Sequence, residues 1–117
     1  MANAAIVVLA GTDGQENLGR VVNALETARE FAEADEELRL IFDGAGTTWV
    51  PALEDPTHDY HDLYQSVREH AAVCDYCSSA FDVADAVDAA GLATLDEHDG
   101  HPSIRRLVDE GYEVITF

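Results

Sequence analysis

A parallel α/β fold follows from three features of the 117-residue sequence. Apolar runs of strand length alternate with amphipathic stretches of helical period along the whole chain. No hairpin signal joins two neighbouring runs, and the length suits one domain. Residues 1–117 are therefore expected to form a single three-layer domain: a parallel sheet of four or five strands with helices on both faces.

The elements are expected in order. Residues 4–10 (Ala-Ala-Ile-Val-Val-Leu-Ala) form a continuous apolar, β-branched run, as a strand covered on both faces requires. A Gly and Asp turn follows. Over residues 16–34, Leu18, Val21, Val22, Leu25, Ala28, Phe31 and Ala32 recur at helical spacing, and Glu26, Arg29, Glu30 and Glu33 can face water. Residues 38–42 read as a second buried strand ended by Asp43 and Gly44. Residues 47–56, with the only tryptophan and two of three prolines, read as a long packed or functional loop. A second helix is expected over 57–70 and a short third strand over 71–74. A third helix follows over 78–90, closed by Gly91. Residues 92–95 suit a fourth strand. After an acidic turn, His101-Pro102-Ser103 opens a fourth helix, and Gly111 stops it. Residues 112–117 end the chain as a last strand.

Charge narrows the function classes. Against 24 Asp and Glu stand 6 basic residues, all Arg, for a formal net charge of −18. A hydrophobic content of 47% arranged with clear periodicity argues against disorder. The expectation is a folded protein with a carboxylate-covered surface suited to the molar-salt cytoplasm of a halophile, where the Debye length falls to about 3 Å. Six scattered arginines offer no basic stripe for nucleic acid, and an anionic membrane is disfavoured for the same reason. No run has transmembrane length, and the apolar N-terminus lacks a basic n-region. A cytoplasmic location is expected, which favours working thiols over a permanent disulfide.

In parallel α/β sheets reactive groups gather at the carboxyl ends of strands. Three loops meet that description: 11–17, 43–51 and 74–79. The first holds Gly14-Gln-Glu-Asn-Leu-Gly19-Arg20-Val21, near the phosphate-loop pattern. Arg stands where Lys is required, Val where a metal-binding hydroxyl is required, and Glu16 would sit among phosphates. No nucleotide or other cofactor is expected. The third carries the only two cysteines, Cys74 and Cys77, three apart where a strand gives way to a helix. A helix N-terminus and a protonated His70 favour thiolate there, whereas Asp75 and the global charge oppose it. Redox, sulfur-transfer and metal chemistry all use such a pair. His70, Cys74 and Cys77 supply three metal ligands at plausible spacing, with a fourth from His58, His61, His101 or an acid.

The run Val73-Cys74-Asp-Tyr-Cys77, the helix after it, and the ending Leu107-Val108-Asp-Glu-Gly-Tyr-Glu-Val-Ile-Thr-Phe117 resemble the DsrE/DsrF-like family of sulfur-relay proteins, in its C-x-x-C branch. The resemblance covers nearly the whole chain in element order. It implies a compact parallel α/β fold of flavodoxin-like kind, homo-oligomers or hetero-oligomers, and a cysteine at this junction that takes up sulfur as a persulfide. Carried over by position, Cys74 is that carrier and Cys77 the second thiol, with a protein sulfur donor and acceptor as partners. Relatives often follow the motif with basic residues and a glycine, where this chain has Ser78-Ser-Ala-Phe-Asp82. The leading expectation is thus sulfur relay or thiol redox chemistry through Cys74 and Cys77, with His70 tuning the thiols. The alternatives are a non-catalytic oligomeric binding module and a metal site on His70, Cys74 and Cys77. The cleft expected for a ligand or partner takes in Gly11, Thr12, Asp13, Gly44, Trp49, Tyr76 and His101.

Overall fold

The first apolar run becomes β1 (Asn3–Val8), and every residue from Ala4 to Val8 is buried, as a strand with both faces covered demands. A computed structural model describes residues 2–117. After β1 come α1 (Gly14–Glu33), β2 (Glu37–Phe42), a 3₁₀ turn (Gly44–Thr48), α2 (Trp49–Glu54) and α3 (His61–Val67). A second 3₁₀ turn (Arg68–His70) leads into β3 (Ala71–Cys74), α4 (Asp75–Ala80) and α5 (Ala84–Ala90). β4 (Ala93–Leu95), α6 (Ile104–Asp109) and β5 (Glu113–Thr116) complete the domain. The five strands form one parallel sheet in the order β4-β3-β2-β1-β5.

That order decides which face each helix covers. The chain steps in one direction from β1 to β4, and right-handed crossovers keep the intervening helices on one face. It then reverses from β4 to β5, which sends α6 to the other. The two cores agree. Val21 and Leu25 of α1, Val50 and Leu53 of α2, Tyr64 and Val67 of α3 and Val87 of α5 pack on Ile6, Val8, Leu40, Phe42 and Val73. On the opposite face Leu107 of α6 packs on Ala5, Val7 and Ile41. Both faces carry helices, but the second carries a single short one.

Three segments differ from expectation. The loop expected over 47–56 contains α2, and Pro51 is tolerated at its third position because the amide it lacks would have no intrahelical partner there. The helix expected over 57–70 is α3 flanked by turns: Asp55 accepts from the Thr57 amide and hydroxyl, and His58 Nδ1 accepts from the Tyr60 amide. The helix expected over 78–90 is two, broken where Asp82 takes a left-handed φ of 59°. Glu54 locks these pieces together. Its carboxylate accepts from the Tyr64 hydroxyl at 2.5 Å and Arg68 Nε at 2.7 Å, and Arg68 also donates to the Ala90 carbonyl. Burial raises the Glu54 pKa, but the Arg68 and Tyr64 hydrogen bonds outweigh it and hold the group below its ordinary value of 4.5.

Gly46 sets how closely the first 3₁₀ turn approaches the sheet. A Cβ there would stand 2.0 Å from the Val8 carbonyl oxygen, so only glycine fits. The turn is thereby pressed against the carboxyl end of β1, and Asp43 is held at the carboxyl end of β2, where its amide donates to the same Val8 carbonyl at 2.9 Å.

Candidate functional site

Strand alternation directs the thiols. Val73 points into the main core, so Cys74, one residue on, points to the α6 face. Cys74 also N-caps α4: its Sγ accepts from the Cys77 amide at 3.4 Å. Cys77 lies in the first turn of that helix, and both cysteines are free and buried.

The residues between β4 and α6 have to pass from an edge strand to the opposite face of the sheet, and they do so beside these thiols. A two-residue turn shapes the passage. Asp99 and Gly100 have φ of 50° and 84°, and His98 and His101 exchange both backbone hydrogen bonds, at 2.9 and 2.8 Å. Positive φ at both central positions is the type I′ turn that Asp-Gly favours. No hairpin signal was expected in the chain, and this tight turn lies within the stretch expected only as an acidic turn. The Gly100 carbonyl accepts from the Tyr76 amide at 2.8 Å, which ties the turn to α4. A Cβ on Gly100 would press on the Tyr76 Cβ at 3.2 Å.

His101 is delivered into the thiols by that turn. Its Nδ1 stands 3.4 Å from Cys74 Sγ and 3.8 Å from Cys77 Sγ. From the other side, Asp43 Oδ1 stands 3.5 Å from Cys77 Sγ. One ligand-type atom from each of Asp43, Cys74, Cys77 and His101 lies within 4.8 Å of all the others. The cysteines are buried and the His and Asp half-buried, so the cluster opens outward past His101 and Asp43. Tyr76, 58% exposed, packs on the His101 ring with centroids 4.8 Å apart.

The opposing influences on the thiol resolve toward the protonated form. Burial is the largest cause, and the hydrogen bond with Cys77 and the Asp43 charge add to it, whereas the Cys77 amide works against them. The Cys74 pKa is pushed up to about 12. At rest Cys74 is a thiol.

His70 lies elsewhere. It ends the turn before β3, and Cys74 ends β3 itself, so a four-residue strand, about 13 Å at roughly 3.3 Å per residue, separates them. Its Nε2 faces Glu69 at 3.5 Å. The imidazole beside the thiols is that of His101. The rest of the expected cleft divides. Tyr76, His101 and Gly44, whose amide donates to Asp43 Oδ1 at 2.8 Å, belong to the thiol site. Thr12 and Trp49 line a separate open depression of about 430 Å³ with Leu18 and His58. Gly11 packs under the first 3₁₀ turn, where a Cβ would meet that of Ala45 at 3.2 Å, and Asp13 caps α1 without a side-chain hydrogen bond. Trp49 is buried and serves the fold, its indole N–H donating to the Ala10 carbonyl at 2.9 Å. Asp43 was not among the expected site residues; its place at a strand's carboxyl end was the available signal.

Fold and site together define a parallel α/β domain with a paired-thiol site at the carboxyl ends of its strands. The chain belongs to the DsrE/DsrF-like family, whose model matches residues 4–117. Membership supports a sulfur-relay-like function, and the two cysteines lie close together. The sequence is similar to that of the uncharacterized protein MJ0733 of Methanocaldococcus jannaschii, with 27% identity over 101 residues, covering 86% of this chain and 83% of the relative. The structure is similar to that of BT1422, a conserved protein of unknown function from Bacteroides thetaiotaomicron. The TM-score is 0.62 with 12% identity, over 97% of this chain and 94% of that one, a likeness of fold alone. Among the described residues, no helix is long and apolar enough to cross a membrane.

Proposed function

We propose that this protein is a sulfur carrier in which Cys74 takes up sulfane sulfur and Cys77 is the second thiol. The observation that carries the reading is the placement of the Cys74 and Cys77 sulfurs within 4.8 Å of each other and of one imidazole nitrogen, in a member of a sulfur-relay family. With its proton on Nε2, His101 accepts the Cys74 thiol proton at Nδ1. The thiolate attacks the terminal sulfur of a donor persulfide, forming Cys74–S–SH, and the donor leaves as a thiolate that takes up a proton. An acceptor thiolate then removes that outer sulfur. In the alternative discharge, Cys77 attacks the inner sulfur, hydrosulfide leaves, and a dithiol reductant reopens the resulting disulfide.

A buried thiol with a raised pKa reacts slowly with free donors, so partner docking on the open side, at Tyr76 and His101, is the step that brings the donor to it. Cyanolysis of protein-bound sulfane sulfur after exposure to a persulfide donor tests the reading. Uptake of one sulfur per chain supports it, and no uptake from low-molecular or protein donors rejects it.

An oligomer in a high-salt cytoplasm completes the proposal. Val108 and Ile104 of α6 are exposed apolar residues on the thinly covered face, 60% and 37% accessible. Among the described residues, arginines pair with Glu16, Glu26, Glu33, Glu54, Glu97 and Glu110 only, of 24 acidic side chains. Light scattering across salt concentrations reads the assembly.

A further inference from the structure

We infer that Asp43, Cys74, Cys77 and His101 form a tetrahedral binding site for a zinc-class divalent cation. The four donors come from three separate places in the chain: the carboxyl end of β2, the β3–α4 junction and the Asp99-Gly100 turn. A chance pair of neighbouring cysteines needs none of that convergence. The ligand set, two sulfurs with one imidazole and one carboxylate, suits a borderline-soft ion with tetrahedral preference rather than a hard oxygen-seeking one such as magnesium.

The distances fit an ion at the centre. With metal–sulfur bonds of about 2.3 Å and metal–nitrogen or metal–oxygen bonds of about 2.1 Å, a tetrahedron has sulfur-to-light-atom edges of about 3.6 Å. The observed edges are 3.4 Å from Cys74 Sγ to His101 Nδ1, 3.8 Å from Cys77 Sγ to His101 Nδ1 and 3.5 Å from Cys77 Sγ to Asp43 Oδ1. Thiol hydrogen bonds alone can also span such distances. They do not require four ligand-type atoms from three parts of the chain to gather within 4.8 Å of one another, as these do.

The surroundings are those of a supported ligand set. The Cys77 amide donates to Cys74 Sγ, and the Gly44 amide to Asp43 Oδ1, so backbone N–H groups orient and stabilise two of the anionic ligands. Tyr76 packs on the His101 ring and holds its orientation. On binding, the ion displaces one proton from each thiol to the buffer. Two thiolates, a carboxylate and a neutral imidazole then surround a dication, leaving one net negative charge at the site. This does not depend on sulfur transfer, since a chain that binds the ion without taking up sulfane sulfur keeps this inference and loses the other.

The test uses the reduced, metal-stripped full-length chain titrated with Co²⁺, with a chromophoric chelator competing for Zn²⁺. The expected result is one ion per chain, with thiolate-to-cobalt charge transfer and the intense ligand-field bands of a tetrahedral centre, displaced by Zn²⁺. Cys74→Ser, Cys77→Ser and His101→Ala should each weaken binding by on the order of 100-fold and Asp43→Asn by about 10-fold, while His70→Ala binds as wild type. X-ray absorption of the zinc-loaded wild type needs no variant and should show two sulfur and two nitrogen or oxygen neighbours. Absence of a tetrahedral thiolate spectrum, fewer than two sulfur neighbours, or unchanged affinity in folded His101→Ala and Asp43→Asn overturns the assignment.

Discussion

The Nδ1 atom of His101 faces the Cys74 sulfur at 3.4 Å across 27 residues of sequence. This makes His101 the base available to the carrier thiol. His101→Ala should slow single-turnover sulfur uptake by about 10²–10³-fold, within the usual range for loss of a general base. His70→Ala should leave the rate unchanged. Stopped sampling of bound sulfane sulfur over time reads both variants.

Cys74 should resist alkylation at neutral pH. Burial, the hydrogen bond with Cys77 and the Asp43 charge hold it as a thiol, with a pKa of about 12 against an ordinary 9.0. In metal-free protein its iodoacetamide rate should therefore still be climbing above pH 9. Asp43→Asn, which removes the nearby anion, should shift that profile to lower pH. A profile that levels off near pH 8 would contradict the account.

Gly46 is required by the approach of the first 3₁₀ turn to β1. Gly46→Ala forces a Cβ onto the Val8 carbonyl and should cost about 3–5 kcal/mol, lowering Tm by roughly 10 °C or more. Gly14→Ala is the control for glycine loss without contact. It sits at positive φ with nothing near its Cβ, and should cost about 1–2 kcal/mol through backbone strain alone. Thermal melts by circular dichroism separate the two.

Glu54 gives the fold an acid-sensitive lock. Its pKa is lowered in the folded state, so its contribution is present above 4.5 and is lost as pH falls through the lower, folded value. The stability difference between wild type and Glu54→Gln should shrink steadily below pH 4.5. Taking the difference removes the general relief of carboxylate repulsion that acid brings to both proteins. Urea melts at stepped pH check it.

Salt should stabilise this chain. With a formal charge of −18, molar KCl screens self-repulsion over a Debye length of about 3 Å, and the unfolding midpoint should rise between dilute buffer and molar salt. An unchanged midpoint contradicts the high-salt reading.

The central strand β1 was legible because burial on both faces leaves a simple mark, the unbroken apolar run from Ala4 to Val8. Helix boundaries were less so. Asp82 breaks the stretch over 78–90 through a φ that local composition does not announce, and Pro51 sits inside a helix at a position that tolerates it. Cys74 and Cys77 stood out as the only cysteines in the chain. Their partners did not, because Asp43 and His101 reach them by tertiary convergence across 34 and 24 residues from Cys77. His70 looked nearer because it is close in sequence, yet a strand moves the chain away by about 3.3 Å per residue. The Asp99-Gly100 turn was the local clue to His101, since a type I′ turn dictates which way the following residue is aimed.

The most direct test is residue-resolved mass spectrometry of the intact, reduced chain after a single exposure to an isotopically labelled persulfide donor. Wild type should carry one labelled sulfur on the peptide holding Cys74, Cys77→Ser should retain it for longer, and Cys74→Ser should carry none. Label on Cys77 in the Cys74→Ser chain at the wild-type level, or no label on Cys74 with any donor, would contradict Cys74 as the carrier.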